Sequence, residues 1–147
     1  MAGILLTGKQ LKDYLEYSAK YFKQVKKGAA VNPAPASEGG DTQADYQGKP
    51  VWDYNYDAVT GVTYSIDISR PVGARILGLS WQGRPVAHDQ RFVLAINNYR
   101  MSGGGDYPHV TEAPVVWEQV LERRQLLIAA AHAKTPIDKH VWFELQD

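Results

Sequence analysis

The sequence predicts an α+β domain in which an antiparallel or mixed sheet packs with two main helices. Three observations carry this: a one-sided helical apolar period over residues 7–27, a period of two through much of 51–97, and a second helical pattern opening at Pro114. The order helix, strands, helix, strand leaves the strand pairing open. At 147 residues and 44% hydrophobic content, a single domain over 1–147 with one core is expected.

Thr7 and Gln10 have the spacing of a capping box, and Leu11, Tyr14, Leu15, Ala19, Phe22 and Val25 recur on one helical face. Lys23, Lys26 and Lys27, followed by Gly28, suit the negative end of a helix dipole, so the helix is expected to reach that point. Residues 28–50, GAAVNPAPASEGGDTQADYQGKP, are rich in Ala, Pro, Gly and Ser and bury little, which predicts a mobile loop or lid. In GVTYSIDIS the apolar Val62, Tyr64, Ile66 and Ile68 alternate with Thr63, Ser65, Asp67 and Ser69, the pattern of a half-buried strand. Two further strands follow near 75–81 and 91–97, the first ending at a Gln-Gly turn, and the three are expected to form an antiparallel meander. Pro114 suits the first turn of a second helix, whose buried side would be Val116, Val120, Leu121, Leu127, Ile128 and Ala131 up to about Lys134. The tail HVWFEL has the content of a last strand.

The absence of Cys rules out thiolate metal sites, Cys nucleophiles and disulfides. Sixteen Lys and Arg balance sixteen Asp and Glu, so the broad positive field that draws nucleic-acid polymers or anionic membranes is missing. No apolar run has membrane-spanning length, and MAGILLTGKQ lacks the basic start and cleavage site of a signal peptide. Motifs of serine hydrolases, zinc proteases, phosphate loops and EF-hands are absent. His88, His109, His132 and His140 stand singly, without partners at metal-ligand spacing.

Chemistry concentrates in two places. Asn97 to Pro108, NNYRMSGGGDYP, leaves a strand and turns sharply; Gly103, Gly104 and Gly105 permit positive φ and close approach of a ligand to exposed N–H donors. The second is PVWDYNYDAVTGV, where Trp52, Tyr54 and Tyr56 alternate with Asp53, Asn55 and Asp57. Rings placed so on one strand face form either a core stripe or one wall of a slot for a planar base.

YDAVTGVTYSIDISRPVGARI, followed by GRPVAHDQRFVLAINNYRMSGGGDYP, resembles the C-terminal domain of the 5′-nucleotidase and 2′,3′-cyclic-nucleotide 2′-phosphodiesterase family. With TGKQLKDYLEYSAKYF included, the resemblance runs from about Leu5 to about Ala133, and the Asn-Tyr and Gly-Gly-Gly-Asp spelling is closer to the cyclic phosphodiesterase branch. It implies a nucleoside pocket in this domain, its base held between the rings of Tyr56 and Tyr99. Asp106 would contact the ribose, with Asn98 and the three glycines lining the pocket. It also implies that the chain holds no cofactor: two divalent metals and the hydrolytic chemistry would belong to a missing N-terminal metallophosphoesterase domain of a periplasmic, cell-wall or extracellular parent. The first strands of the domain and the phosphate-contacting arginines would lie upstream, so the domain is expected to be truncated at its N-terminus.

Two competing readings remain at this level. One is a stand-alone, non-catalytic module that stacks Trp52, Tyr54 and Tyr99 on a carbohydrate or another partner; the other is an enzyme built on His88 or His109 with a nearby Asp. Loss of upstream strands would expose a sheet edge, so either self-association through that edge or disorder of the first residues, including Ile4, Leu5 and Leu6, is expected.

Overall fold

The computed structural model describes residues 1–119 and Ile128. In chain order its elements are β1 (Ala2–Thr7), α1 (Gly8–Ala19), β2 (Asp45–Tyr46), β3 (Lys49–Pro50), β4 (Thr63–Ile66), β5 (Ile76–Trp81), β6 (Arg84–Pro85), β7 (Arg91–Ile96), α2 (Asn98–Met101) and β8 (Val115–Glu118). The strands form three antiparallel sheets, ordered β7-β1-β8, β2-β3 and β4-β5-β6.

β1 is the central strand of its sheet, in register with β7 from Ala2 opposite Ile96 to Thr7 opposite Arg91. Ala2, Ile4 and Leu6 are buried, each of the two larger side chains contributing about 1.5 to 3 kcal/mol by leaving water. The expected disorder of the first residues is therefore overturned. Ile4 to Leu6 sit inside the domain's own sheet because alternate side chains of a central strand reach the core.

Thr7 closes β1 and caps α1. Its hydroxyl accepts from the Gln10 N–H at 3.2 Å and its own N–H donates to the Gln10 side chain at 2.9 Å, so the expected capping box is present. The loop before β7 braces the same end, since the carbonyls of Gln90 and His88 accept from the N–H groups of Gly8 and Lys9. Gly8 is required there: a Cβ would lie 2.1 Å from the Ala87 carbonyl oxygen.

α1 ends at Ala19 and not near Lys27. Beyond it the backbone is captured by residues 41–43: the N–H of Lys23 donates to Asp41 at 2.7 Å and that of Gln43 to Tyr21 at 2.9 Å, beside a bridge from Phe22 to Thr42. The cation at the helix end is Arg75. Fully buried, it donates from Nη1 to the carbonyls of Ala19 and Phe22, both at 2.7 Å. Glu16 anchors the same junction, its carboxylate accepting from the N–H groups of Arg75 and Ile76 at 2.8 Å each.

β4 keeps the expected alternation, with Tyr64 and Ile66 packed against the buried Leu15, Ala19 and Ile76. Gln82 and Gly83 both take positive φ, 50° and 74°, and turn β5 into β6; Gln47 and Gly48 do the same for β2 and β3. The meander stops there. β7 crosses to pair with β1, because the apolar Leu94 and Ile96 complete the cluster of Ile4, Leu6, Tyr14, Tyr107 and Val110. A second correction concerns residues 114–118, expected as helix: Val115 to Glu118 pair with Gly3 and its neighbours as β8, as β-branched side chains favour. Of the rest of the expected second helix only Ile128 is described, helical as expected but exposed and not buried; its other residues and the final strand, with His132 and His140, lie outside the described residues.

Candidate functional site

The glycine loop and the 52–57 segment meet over α1, and Arg100 joins them. Its Nε and Nη2 donate to the two oxygens of Asp57 at 2.7 and 2.8 Å. Nη1 donates to the Asn55 side chain and the Gly104 carbonyl at 3.0 Å, and Nη2 also reaches the Tyr54 carbonyl at 3.3 Å. All five guanidinium donors are thus used by a side chain that is only 4% exposed. Asp57 also accepts from the Tyr14 hydroxyl, while Ser18 bonds both backbone groups of Asp57 at 2.7 and 2.8 Å. The Tyr107 hydroxyl donates its one proton to the Asn55 carbonyl and lies 3.1 Å from the Ser18 hydroxyl oxygen, and its ring lies under the guanidinium, 4.4 Å from ring centroid to Cζ.

Burial and these partners set the protonation states. Burial alone would lower the Arg100 pKa, but the hydrogen bonds and charge of Asp57 outweigh it and hold the guanidinium above its ordinary range. Tyr14 is raised by burial and by Asp57, and Tyr107 is pushed up to about 12, chiefly by burial.

Each glycine has its own reason. Gly103 and Gly105 take positive φ of 90° and 81°, whereas a Cβ on Gly104 would sit 2.5 Å from the Tyr99 ring, so that ring lies flat on the loop. The loop does not present a row of free donors as expected. The N–H groups of Gly103, Gly104 and Asp106 turn back to the carbonyls of Arg100, Tyr99 and Gly103, because a tight turn satisfies its own backbone. The Gly105 carbonyl is held by the Tyr17 hydroxyl at 2.9 Å.

The candidate residues distribute as follows. Tyr99 is 45% exposed at the loop, and Asp106 is exposed with φ of 57°, a conformation Asp tolerates. Asn98 is exposed at the start of α2; its neighbour Asn97 caps that turn, accepting from the Arg100 N–H at 2.7 Å. Trp52, Tyr54 and Tyr56 do not share a strand face, since Asp53–Asn55 form a 3-10 turn. Tyr56 turns inward to rest on Tyr21 and Phe22, at centroid distances of 5.0 and 5.5 Å. Tyr54 and Trp52 are the open rings of the segment, 66% and 53% exposed and stacked on each other at 6.3 Å and 6°. Sequence patterning offered Tyr54 as a stacking ring only in the competing module reading and did not point to Arg100 as the joint, whose one signal was an arginine one turn before a glycine triplet.

His109 bonds Asp13 at 3.0 Å, and Asp13 also pairs with Lys9 at 2.9 Å. His88 is exposed and serves the α1 cap through its backbone. Among the described residues no group of three or more His, Cys, Asp or Glu is placed to hold a metal ion, and no helix is long and apolar enough to cross a membrane.

The family model described as 5′-nucleotidase, C-terminal domain, matches residues 1–112. The chain belongs to this family. The domain is 34% identical over 137 residues to the trifunctional nucleotide phosphoesterase protein YfkN of Bacillus subtilis strain 168, covering 85% of this chain and 9% of that protein. It is 32% identical over 133 residues to the 2′,3′-cyclic-nucleotide 2′-phosphodiesterase/3′-nucleotidase of Haemophilus influenzae, covering 82% of this chain and 19% of that one. A solved Staphylococcus aureus structure bearing a 5′-nucleotidase name, in complex with α-ketoglutarate, superposes with a TM-score of 0.73 at 35% identity, over 89% of this chain and 24% of that one. The 5′-nucleotidase C-terminal domain described here therefore spans a small part of the proteins it matches.

Proposed function

We propose that this 5′-nucleotidase C-terminal domain recognises the nucleoside part of a substrate for a nucleotide phosphohydrolase. The observation that carries the reading is the Tyr99 ring, exposed on one side and laid on Gly104 by the other, in a loop that Arg100 locks to the Tyr54–Asp57 segment. A preorganised ring of this kind stacks a base without losing loop entropy on binding. Tyr99 forms one wall of the slot and Tyr54 the second, while Tyr56 packs on Tyr21 and Phe22. Asp106 accepts from the ribose hydroxyls, which favours nucleosides over free bases.

Stacking contributes roughly 1 to 3 kcal/mol per base, so affinity for a nucleoside is in the high micromolar to millimolar range. Hydrolysis and its two divalent ions are assigned to the part of an exported parent protein that precedes this domain, and no step through a metal is assigned to the described residues. Titration with adenosine tests the reading: quenching of aromatic emission that Tyr99→Ala abolishes supports it. An unchanged signal up to about 10 mM adenosine overturns it. Saccharides that quench in place of nucleosides would establish the carbohydrate module instead.

The same domain carries a route to self-association. The cleft of about 360 Å³ beside β7 is lined by the consecutive residues Val93 to Asn97 and faces Ala58 to Thr60. Successive strand residues point to opposite faces, so a cleft touching four strand residues in a row, Val93 to Ile96, runs along the strand edge. That edge has no partner strand among the described residues, and it suits an extended segment of a second copy.

A further inference from the structure

The β7-β1-β8 sheet fills the core with one face only. Ala2, Ile4 and Leu6 of its central strand point inward, and the alternate positions form an outer face centred on Gly3. A Cβ on Gly3 would lie 2.9 Å from Val93 Cγ1, 3.7 Å from Trp117 Cβ and 3.8 Å from Val116 Cγ2, so three apolar side chains stand around one glycine. The register explains why β8 contributes two of them. Gly3 pairs with Trp117 and Ile4 with Val115, which makes Val116 the extra residue of a bulge and brings it to the same face as Trp117. Trp117 and Val116 are 46% and 51% exposed, and the still more exposed Val93 marks the border of the patch on the β7 side. Apolar side chains gathered across three adjacent strands, and not scattered singly, mark a surface that something covers.

The chain itself leads back to this patch. Met1 and Gln119 exchange two backbone hydrogen bonds at 2.9 Å, so the backbone leaves β8 beside Met1, two residues from Gly3. Residues 120–134, which follow, carry a helical apolar period; at 1.5 Å per residue they reach about 22 Å, against roughly 10 Å across three strands. Ile128, helical and 46% exposed, tells which side of that helix meets water. Its neighbours at i−4, i−3 and i+4 are Arg124, Gln125 and His132, all polar. On the opposite side the sequence sets Leu126, Ala130 and Ala133 at i, i+4 and i+7, the spacing of a buried stripe. We propose that residues 120–134 dock as a helix over Gly3, Val116 and Trp117, with Leu126, Ala130 and Ala133 toward the sheet and Ile128 toward water. The alanines allow close approach to a floor whose centre has no side chain. Direct linkage to β8 favours this occupant over a second copy, because a short connection holds the segment at an effective concentration of the order of millimolar.

The chain contains no cysteine, so an introduced pair reports a single contact in the full-length protein. Val116→Cys/Ala130→Cys is expected to be joined by a short bismaleimide within one chain, and Val116→Cys/Ile128→Cys, on the outward side, to lose most of that product. Equal yields from the two pairs, or none from either, overturn the proposal, and so do links formed only between two chains, which assign the face to a second copy. A double-substitution cycle reads the same contact without a cross-link. Leu126→Ala is expected to lower the urea midpoint by about 1 M, and Trp117→Ala/Leu126→Ala to lower it by less than the two separate shifts together, because both remove one contact. Trp117→Ala/Ile128→Ala should be additive. Additive shifts for Trp117 and Leu126 overturn the docking.

Discussion

Arg100 and Asp57 face each other with two parallel hydrogen bonds, Nε to Oδ2 at 2.7 Å and Nη2 to Oδ1 at 2.8 Å, across 43 residues of sequence. This pair turns two irregular segments into one surface. Each segment alone is a short turn with little apolar area, and a turn that buries little is held by its polar contacts. Because the guanidinium is buried and shared among four residues, losing it leaves a partly buried carboxylate and several carbonyls without partners.

Arg100→Ala is accordingly expected to destabilise the domain by about 3 to 5 kcal/mol, the range for breaking a buried pair. Arg100→Lys should recover little, since one ammonium cannot reproduce a five-donor fork. Chemical denaturation measures both; a loss below about 1 kcal/mol for Arg100→Ala would mean that the segments hold their positions independently.

The three tyrosines of the site should separate by phenotype. Tyr99→Ala and Tyr54→Ala are expected to weaken nucleoside binding about tenfold with stability changed by about 0.5 kcal/mol or less, because both rings are exposed. Tyr56→Ala should instead cost about 2 to 4 kcal/mol of stability, since its ring fills the space beside Tyr21 and Phe22. Loss of binding in a fully stable Tyr56→Ala variant would return the second wall to Tyr56.

Alkaline pH should destabilise the domain in a window set by its buried phenols. Burial pushes Tyr56 and Tyr107 up to about 12 from an ordinary value of 10.0. A raised pKa favours the neutral form in the folded state, so this stabilisation is complete below about pH 10 and is lost as pH rises towards about 12. Tyr56→Phe keeps the ring and removes the ionising hydroxyl. Its denaturation midpoint should fall less between pH 10 and 12 than that of the parent sequence, and parallel curves would show that Tyr56 ionises freely.

Light scattering at several concentrations tests the β7 edge. The molar mass should rise with concentration, and Val93→Lys should hold the protein monomeric, because a lysine on an exposed edge opposes strand addition. Val93 is 61% exposed, so the substitution disturbs no core packing. A parent sequence that stays monomeric throughout removes the proposed self-association.

What the sequence determined by itself was local. The Thr7–Gln10 box, the Gln82-Gly83 turn, the alternation through Tyr64 and Ile66, and the glycine loop all rest on residues within a few positions of one another, where steric and hydrogen-bond preferences act before any tertiary contact. The tertiary structure decided the rest. α1 stops at Ala19 because Arg75, 56 residues away, takes its last carbonyl, and β7 leaves the meander because β1 offers an apolar register. Tyr54 and Trp52, not Tyr56, are the open rings, because a 3-10 turn replaced the alternation that would have aligned them. Such outcomes depend on which distant partner satisfies a buried backbone group or fills an apolar gap, and periodicity carries no record of that partner.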